Sequence, residues 1–389
     1  MQYNRTVNAG DFVSRHIFVV GLGALGTTVL QQLALTHGVS KIVAADVDEK
    51  RGKEIVDNTI SGAAILGFHP DIRFIKIDLF DVERTTEALR EAEPSLIFNV
   101  TALASWWFPH LLPIEIGRKV LEAGLGPWIP CHLALTYKLM QAIKKSGLDV
   151  SVVNASYNDA VAPILSKVGL TPTVGGGNLD FLVPRIKRVV GEKLKVPMRE
   201  VTVFLVAHHA VITTVGKAPF WYKILVRDKN VTDMFSTEEI RRVIPPLYRI
   251  EERWVGAPLQ YDIAASFVKN MLAIYFDTSE LSHTPGPRGL PGGFPVRINA
   301  KGVEVVLPDE MKLNDAIKIN EAAARFEGIE KIKDDGTTVL TDEAVKLLKD
   351  ALGYDCKQFR LAEAAEKAGE LISLYKETLR KYKIPIPYE

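Results

Sequence analysis

Three glycines at fixed spacing restrict this chain more than any other feature. In Val19-Val20-Gly21-Leu22-Gly23-Ala24-Leu25-Gly26 they follow a short apolar strand pattern and head an apolar helix pattern. The first glycine permits a tight strand-to-helix turn, the second lets backbone amides approach a pyrophosphate, and the third lets helix and strand pack closely. A second strand pattern, Lys41 to Asp46, delivers a carboxylate twenty positions after Gly26. Asp46 is placed to accept from a ribose diol and repels a 2′-phosphate, so NAD is expected over NADP, with Lys50 and Arg51 close by.

Apolar runs at 16–20, 41–46, 72–77, 96–100 and 150–153 alternate with helical patterns such as 25–36 and 85–91. This alternation predicts a doubly wound parallel sheet with helices on both faces, whose ligands sit beyond the carboxyl ends of the strands. Gly21 to Leu25, Asp46 and Val47, Asp78, Asn99 to Ala102 and Asn154 are therefore expected around the cofactor. After residue 155 the texture changes to longer segments, with β-rich runs at 200–215 and 295–307. The stretch 284–295, rich in proline and glycine, reads as an irregular connection. A helix over 363–382 carries Leu371, Ile372, Tyr375 and Leu379 on one face, suited to packing on the body or on a second subunit, and Pro385 stops it. The predicted fold class is α/β: a Rossmann-type domain over 1–155, then an α+β catalytic and oligomerisation domain over 156–389 with antiparallel sheets and a helical extension.

The 389 residues, 47% of them hydrophobic, suffice for two domains sharing a cleft. A net charge of +1 with interspersed signs indicates neither nucleic acid nor a membrane surface as partner, so a small molecule is expected. Two cysteines, Cys131 and Cys356, without metal-ligand spacing, suit a reducing compartment, and neither disulfide nor metal site is expected. Without a signal-peptide pattern or a long uncharged apolar run, the chain reads as cytoplasmic.

Oxidation at a carbinol carbon needs a group that exchanges the hydroxyl proton, and histidine is suited to this. His208-His209 ends the strand pattern that starts at Glu200, and Gly175-Gly-Gly-Asn-Leu-Asp180 leads into a helix with Asp180, Arg185 and Arg188. Asp180 could orient an imidazole and fix its tautomer. On the residues alone, a hydrogen-bonded structural histidine is the commoner reading at a strand end, and a carboxylate that complements a helix dipole fits Asp180 as well as an orienting role does. Cys131-His132, in an apolar segment beside Trp128, reads as structural.

The order of these motifs resembles the lactate and malate dehydrogenase superfamily over the chain to about residue 350. The shared series is Gly21/Gly23/Gly26, Asp46, Thr101-Ala102, Asn154 and Asn178-Leu-Asp180, then His208-His209 about 28 residues further on. Tyr261 to Ser266 and Ser282-His-Thr284 resemble its cleft-lining helix and following turn. The resemblance implies that His209 is the acid/base, with His208 as the one-residue alternative, that Asp180 orients it and that Asn154 donates to substrate. It also implies a homodimer or homotetramer. Two departures stand out. Family members carry arginines in the loop after Thr101-Ala102, but here it reads Leu103-Ala-Ser-Trp106-Trp107-Phe-Pro-His110. The carboxylate-clamping arginine three residues after the helix aspartate is Val183, and Arg185 comes two positions late, about 200° around a helix. Trp106 and Trp107 offer apolar stacking surface for a bulkier substrate or a water-excluding lid, and equally fit plain packing. Thr213, Lys217, Arg288 and Arg297 are further candidates near substrate. The expected activity is NAD-linked oxidation of a secondary alcohol or 2-hydroxy acid. An opine- or saccharopine-type reductase joining an amine to a 2-oxo acid, a non-redox glycosidase-like enzyme using NAD, and a cofactor-bound sensor stay open.

Overall fold

A computed structural model describes residues 15–177, 179–245 and 260–386, so Asn178 lies outside the described residues. Five parallel strands, β1 (Ile17–Val20), β2 (Lys41–Asp46), β3 (Asp71–Lys76), β4 (Leu96–Asn99) and β5 (Ser151–Asn154), form a sheet in the order β3-β2-β1-β4-β5. Each lies within about one residue of its sequence pattern. Strands β1 and β4 are buried throughout, as expected of central parallel strands covered on both faces. Their alternate residues feed two cores, because successive side chains point to opposite faces. Phe18, Val20 and Ile97 face one; Ile17, Val19 and Phe98 face the other.

Each core draws in a distant part of the chain. The first unites the sheet with helix Ile129–Ser146 and with Leu371, Tyr375 and Leu379 of the C-terminal helix Ala364–Lys381, so that helix packs on the body of its own chain. The second holds helix Gln260–Tyr275, whose Phe267 ring lies 5.3 Å from that of Phe98.

An antiparallel sheet follows, built from β6 (Val201–Ala207), β7 (Phe220–Val226), β8 (Lys229–Asn230), β9 (Leu281–Pro285), β10 (Gly293–Asn299) and β11 (Gly302–Val305). The β-rich expectation for 200–215 holds only to Ala207; His208 and His209 then leave the strand and lead into a short helix, Ala210–Thr213. The proline and glycine stretch 284–295 is a hairpin, with Pro285 paired to Gly293 and the turn between them made by Gly286, Gly289 and Gly292 at positive φ. A third sheet, β12 (Ile329–Ile332), β13 (Thr338–Leu340) and β14 (Gln358–Phe359), lies outside every strand pattern read from the sequence. Among the described residues no helix is long and apolar enough to cross a membrane.

Candidate active site

A cavity of about 900 Å³ runs along the carboxyl ends of the parallel strands. At one end lies the glycine turn. Gly21, at φ +98°, sits where a Cβ would press on Thr101 and Val100, and a Cβ on Gly26 would meet the Gly21 carbonyl oxygen at 1.9 Å. Gly23, by contrast, has nothing within 4 Å of a Cβ and faces the cavity, so its backbone is open to a ligand. Helix Ala24–Ala34 starts here with Gly23 as its N-cap and no side-chain cap, leaving first-turn amides for a phosphate.

Asp46 accepts from Leu22 N–H at 2.6 Å and Asp48 N–H at 3.0 Å, and a carboxylate retains lone pairs for a diol beyond these two bonds. Arg51 stands 3.8 Å from Asp46 and donates to the Leu22 carbonyl. It occupies the first turn of helix Glu49–Ile65, capped by Asp48. The turn, Asp46 and the open Gly23 backbone thus fit a dinucleotide. Gly21, Gly23, Ala24, Leu25, Asp46, Val47 and Asp78 line this end, and Val100, Thr101 and Ala102 the middle. Leu22, Gly26 and Asn99 stand behind the wall.

Asn99 and Asn154 form a buried amide chain. Asn99 donates to Thr136 Oγ1 and to Asn154 Oδ1 at 2.8 Å, and accepts from Thr101. Asn154 in turn donates to Asn158 Oδ1 and the Ser156 carbonyl, and Asn158 donates to the Pro285 carbonyl. The expectation that Asn154 donates to substrate is corrected: the side chain is fully buried and its amide bonds Asn99, Ser156 and Asn158, the last of which reaches β9.

His209 lines the far end of the cavity. Its backbone N–H donates to Asp159 Oδ1 at 2.9 Å, and its ring Nδ1 lies 2.9 Å from Glu327 Oε1. A carboxylate only accepts, so Nδ1 carries the proton and Nε2 is the basic nitrogen of the neutral ring. Burial opposes charging this imidazole, but the Glu327 charge and hydrogen bond, with Asp159, outweigh it and raise its pKa. Glu327 is fully buried, yet His209 and the hydroxyl of Thr213 keep its carboxyl well below the usual range despite that burial. Its other oxygen accepts from Leu125 N–H at 2.9 Å and Tyr157 O–H at 3.3 Å.

Glu327, not Asp180, orients the imidazole. Asp180 sits in the turn before helix Leu182–Leu194 and accepts from Ser266 Oγ and Lys269 Nζ, at 2.7 and 2.6 Å. Glu327 carried no local signal, standing 118 positions from His209 at the end of a short 3-10 turn, Arg325–Glu327. Only the glycines at 124 and 126 hint at it: a Cβ on either would come within about 2.5 Å of the Glu327 backbone. His208 is buried, accepts from Ala210 N–H through Nδ1, and does not line the cavity.

The remaining candidates divide. Trp106 and Trp107 line the cavity, and Phe108 beside them stacks on Tyr375 at 5.3 Å, whose hydroxyl donates to the Phe108 carbonyl at 3.0 Å. Thr213 reaches Glu327 at 2.5 Å and lies behind His209, away from the cavity wall. Arg185 pairs with Asp262 at 2.9 Å, and Val183 is buried, so neither forms a clamp at the cavity; Lys217, Arg288 and Arg297 also fall outside its wall. Burial pushes the Cys131 thiol up to about 12, but its neighbour His132, read from sequence as structural, lines the cavity. Among the described residues there is no cluster of three or more metal-ligating side chains.

No protein-family model matches the sequence, and no curated protein does. Solved structures do match. A lactate dehydrogenase from a Medee basin deep-sea metagenome library superposes with a TM-score of 0.56 at 15% identity, over 87% of this chain and 99% of that one. The apo malate dehydrogenase of Picrophilus torridus gives 0.56 at 17% identity, over 80% and 96%. Malate dehydrogenase from Plasmodium falciparum, in complex with NADH, gives 0.52 at 14% identity, over 93% and 99%. The chain has the fold of the lactate and malate dehydrogenases.

Proposed function

We propose that the chain is a nicotinamide-dependent oxidoreductase interconverting a secondary alcohol and its carbonyl compound, with His209 as acid/base and Glu327 as its orienting partner. One observation carries this: a single cavity joins the glycine turn and Asp46 at one end to the His209–Glu327 pair at the other. A bound nicotinamide dinucleotide would supply the hydride acceptor or donor. Gly23 and the following amides would hold the pyrophosphate, and Asp46 the adenosine ribose, favouring NAD because a 2′-phosphate would meet a carboxylate. His209 Nε2 takes the hydroxyl proton during oxidation, and Glu327 stabilises the imidazolium that results. In reduction the same nitrogen returns the proton to the carbonyl oxygen. The division near residue 155 into a cofactor-binding and a catalytic part belongs to this reading, as does a homodimer or homotetramer.

The test follows NADH absorbance with carbonyl compounds, with and without added amines, in wild type and His209→Asn. Consumption with a carbonyl compound alone, lost in the variant while NADH still binds, supports the reading. A strict need for an amine moves it to an opine-type reductase, and tight NADH binding without turnover to a sensor.

A further inference from the structure

His132 has no part in the acid–base chemistry proposed for His209, yet it faces the same cavity. It stands in the first turn of helix Ile129–Ser146, and its ring meets Tyr157 edge-on at 6.0 Å, while Tyr157 meets His209 at 5.6 Å. Tyr157 therefore separates two imidazoles on one wall. Nδ1 of His132 is buried without a hydrogen-bond partner, and among the described residues neither ring nitrogen is hydrogen-bonded, which leaves Nε2 as the nitrogen a ligand can reach. Nε2 is not among the buried unpaired atoms, so among the described residues its hydrogen-bonding capacity is open to a ligand in the cavity. Burial, with the neighbouring His209, holds the ring down at about 4, so it meets a ligand as a neutral donor or acceptor.

Among the described residues the wall here offers no lysine or arginine to match a carboxylate. Among the described lining residues Arg51 is the only lysine or arginine, and it stands at the Asp46 end, bonded to Asp46 and Leu22. The cavity wall includes the apolar Trp106, Trp107, Phe181 and Phe267 as well as the polar Ser156 and Gln260. A carboxylate buried here without a lysine or arginine partner would cost more than a hydroxyl that finds one hydrogen bond.

We propose that His132 Nε2 binds an uncharged oxygen on the carbon next to the reacting one, and that the substrate is a neutral hydroxy ketone or diol with an aromatic or branched apolar substituent, not a 2-hydroxy acid. The proposal rests on the dehydrogenase reading above. The neighbouring oxygen is held and not transformed, which makes His132 a specificity-determining residue.

The experiment titrates NAD-loaded protein by calorimetry with two matched probes, hydroxyacetophenone and benzoylformate, which differ in a hydroxymethyl or carboxylate beside the same ketone. Oxidised cofactor cannot reduce the ketone of either, and constant absorbance at the NADH band confirms that the heat reports binding alone. Wild type is expected to bind hydroxyacetophenone at least about tenfold tighter, the equivalent of one well-made hydrogen bond. His132→Phe keeps the ring shape and abolishes the preference, and His132→Gln restores part of it through its amide. Unchanged NAD affinity in both variants shows that they are folded. In NADH-linked turnover, His132→Phe raises KM for hydroxyacetophenone about tenfold with little change in kcat, the signature of lost binding rather than lost chemistry. Equal or tighter binding of benzoylformate, a preference that survives His132→Phe, or NAD binding with neither probe bound would each overturn the proposal. Failure of wild type to bind NAD at all would defeat the dehydrogenase reading, and this proposal with it.

Discussion

Replacing Glu327 by glutamine changes the proton inventory of the site at almost constant volume. The four donors around this carboxylate divide into two pairs: Leu125 N–H and Tyr157 O–H on Oε2, His209 Nδ1 and Thr213 O–H on Oε1. Glutamine has one accepting end. Its NH₂ cannot face the Leu125 N–H, which is fixed backbone, so its oxygen takes that side and its NH₂ turns to His209. Nδ1 must then accept, and the ring proton moves to Nε2, the nitrogen that has to take the substrate proton. Loss of the negative charge also removes the main cause that raises the His209 pKa against burial. Correct protonation of a general base is worth about 10² to 10⁴ in rate, so kcat for alcohol oxidation is expected to fall by about that factor with NADH affinity unchanged. Destabilisation should be only about 1–3 kcal/mol, because most of the bonds can be remade. The assays are steady-state oxidation across pH and NMR of the His209 ring nitrogens. A Glu327→Gln enzyme with wild-type kcat, or a ring whose proton stays on Nδ1, would show that Glu327 does not set the tautomer of His209, as would Asp180→Asn producing the same tautomer change.

Three further outcomes follow from the same geometry. Gly23→Val should leave the melting temperature near that of wild type and abolish NADH binding, since nothing stands within 4 Å of its Cβ on the cavity side, whereas Gly26→Val should fail to fold because its Cβ meets Gly21 O at 1.9 Å; equal effects in calorimetry and binding would contradict this. Tyr375→Ala should cost about 3–5 kcal/mol by denaturant titration and expose the Trp106–Trp107 loop to quenchers, while Tyr375→Phe, losing only the bond to the Phe108 carbonyl, should cost about 1 kcal/mol. The His209–Glu327 pair should stabilise the fold most between the ordinary values 4.5 and 6.5 of its members. The raised His209 pKa gives stability that is lost as pH rises through its folded value, and the lowered Glu327 pKa gives stability lost as pH falls through its own. The difference in unfolding free energy between wild type and Glu327→Gln should therefore shrink above pH 6.5, and a flat difference to about pH 9 would count against the pairing.

The parallel sheet was legible because its signals are local: continuous apolar runs, a glycine turn and Asp46 each sit within a few residues of what they determine. The place of His209 on the cavity wall was legible through its spacing from the Asn178-Leu-Asp180 segment, and the tail helix through its apolar stripe. The partner of His209 was not, because Glu327 reaches it by tertiary packing across 118 positions, and a glutamate after a helix carries no pattern of its own. The same limit applied to His132, where an apolar helix start looked like core although one ring edge opens on the cavity. Asn154 misled for the opposite reason: its position at a strand end was right, but its amide is consumed by Asn99, Ser156 and Asn158. The three-stranded sheet β12–β14 escaped notice because its strands span only two to four residues.

The proposed activity turns on one step, the exchange of a proton between His209 and a substrate held beside a nicotinamide in this cavity. It is tested most directly by NADH-dependent reduction of hydroxyacetophenone, with wild type and His209→Asn compared at equal NADH saturation. Wild type should turn over, and the variant should lose at least about 10² in kcat with NADH affinity retained. Equal turnover by the two proteins would contradict it.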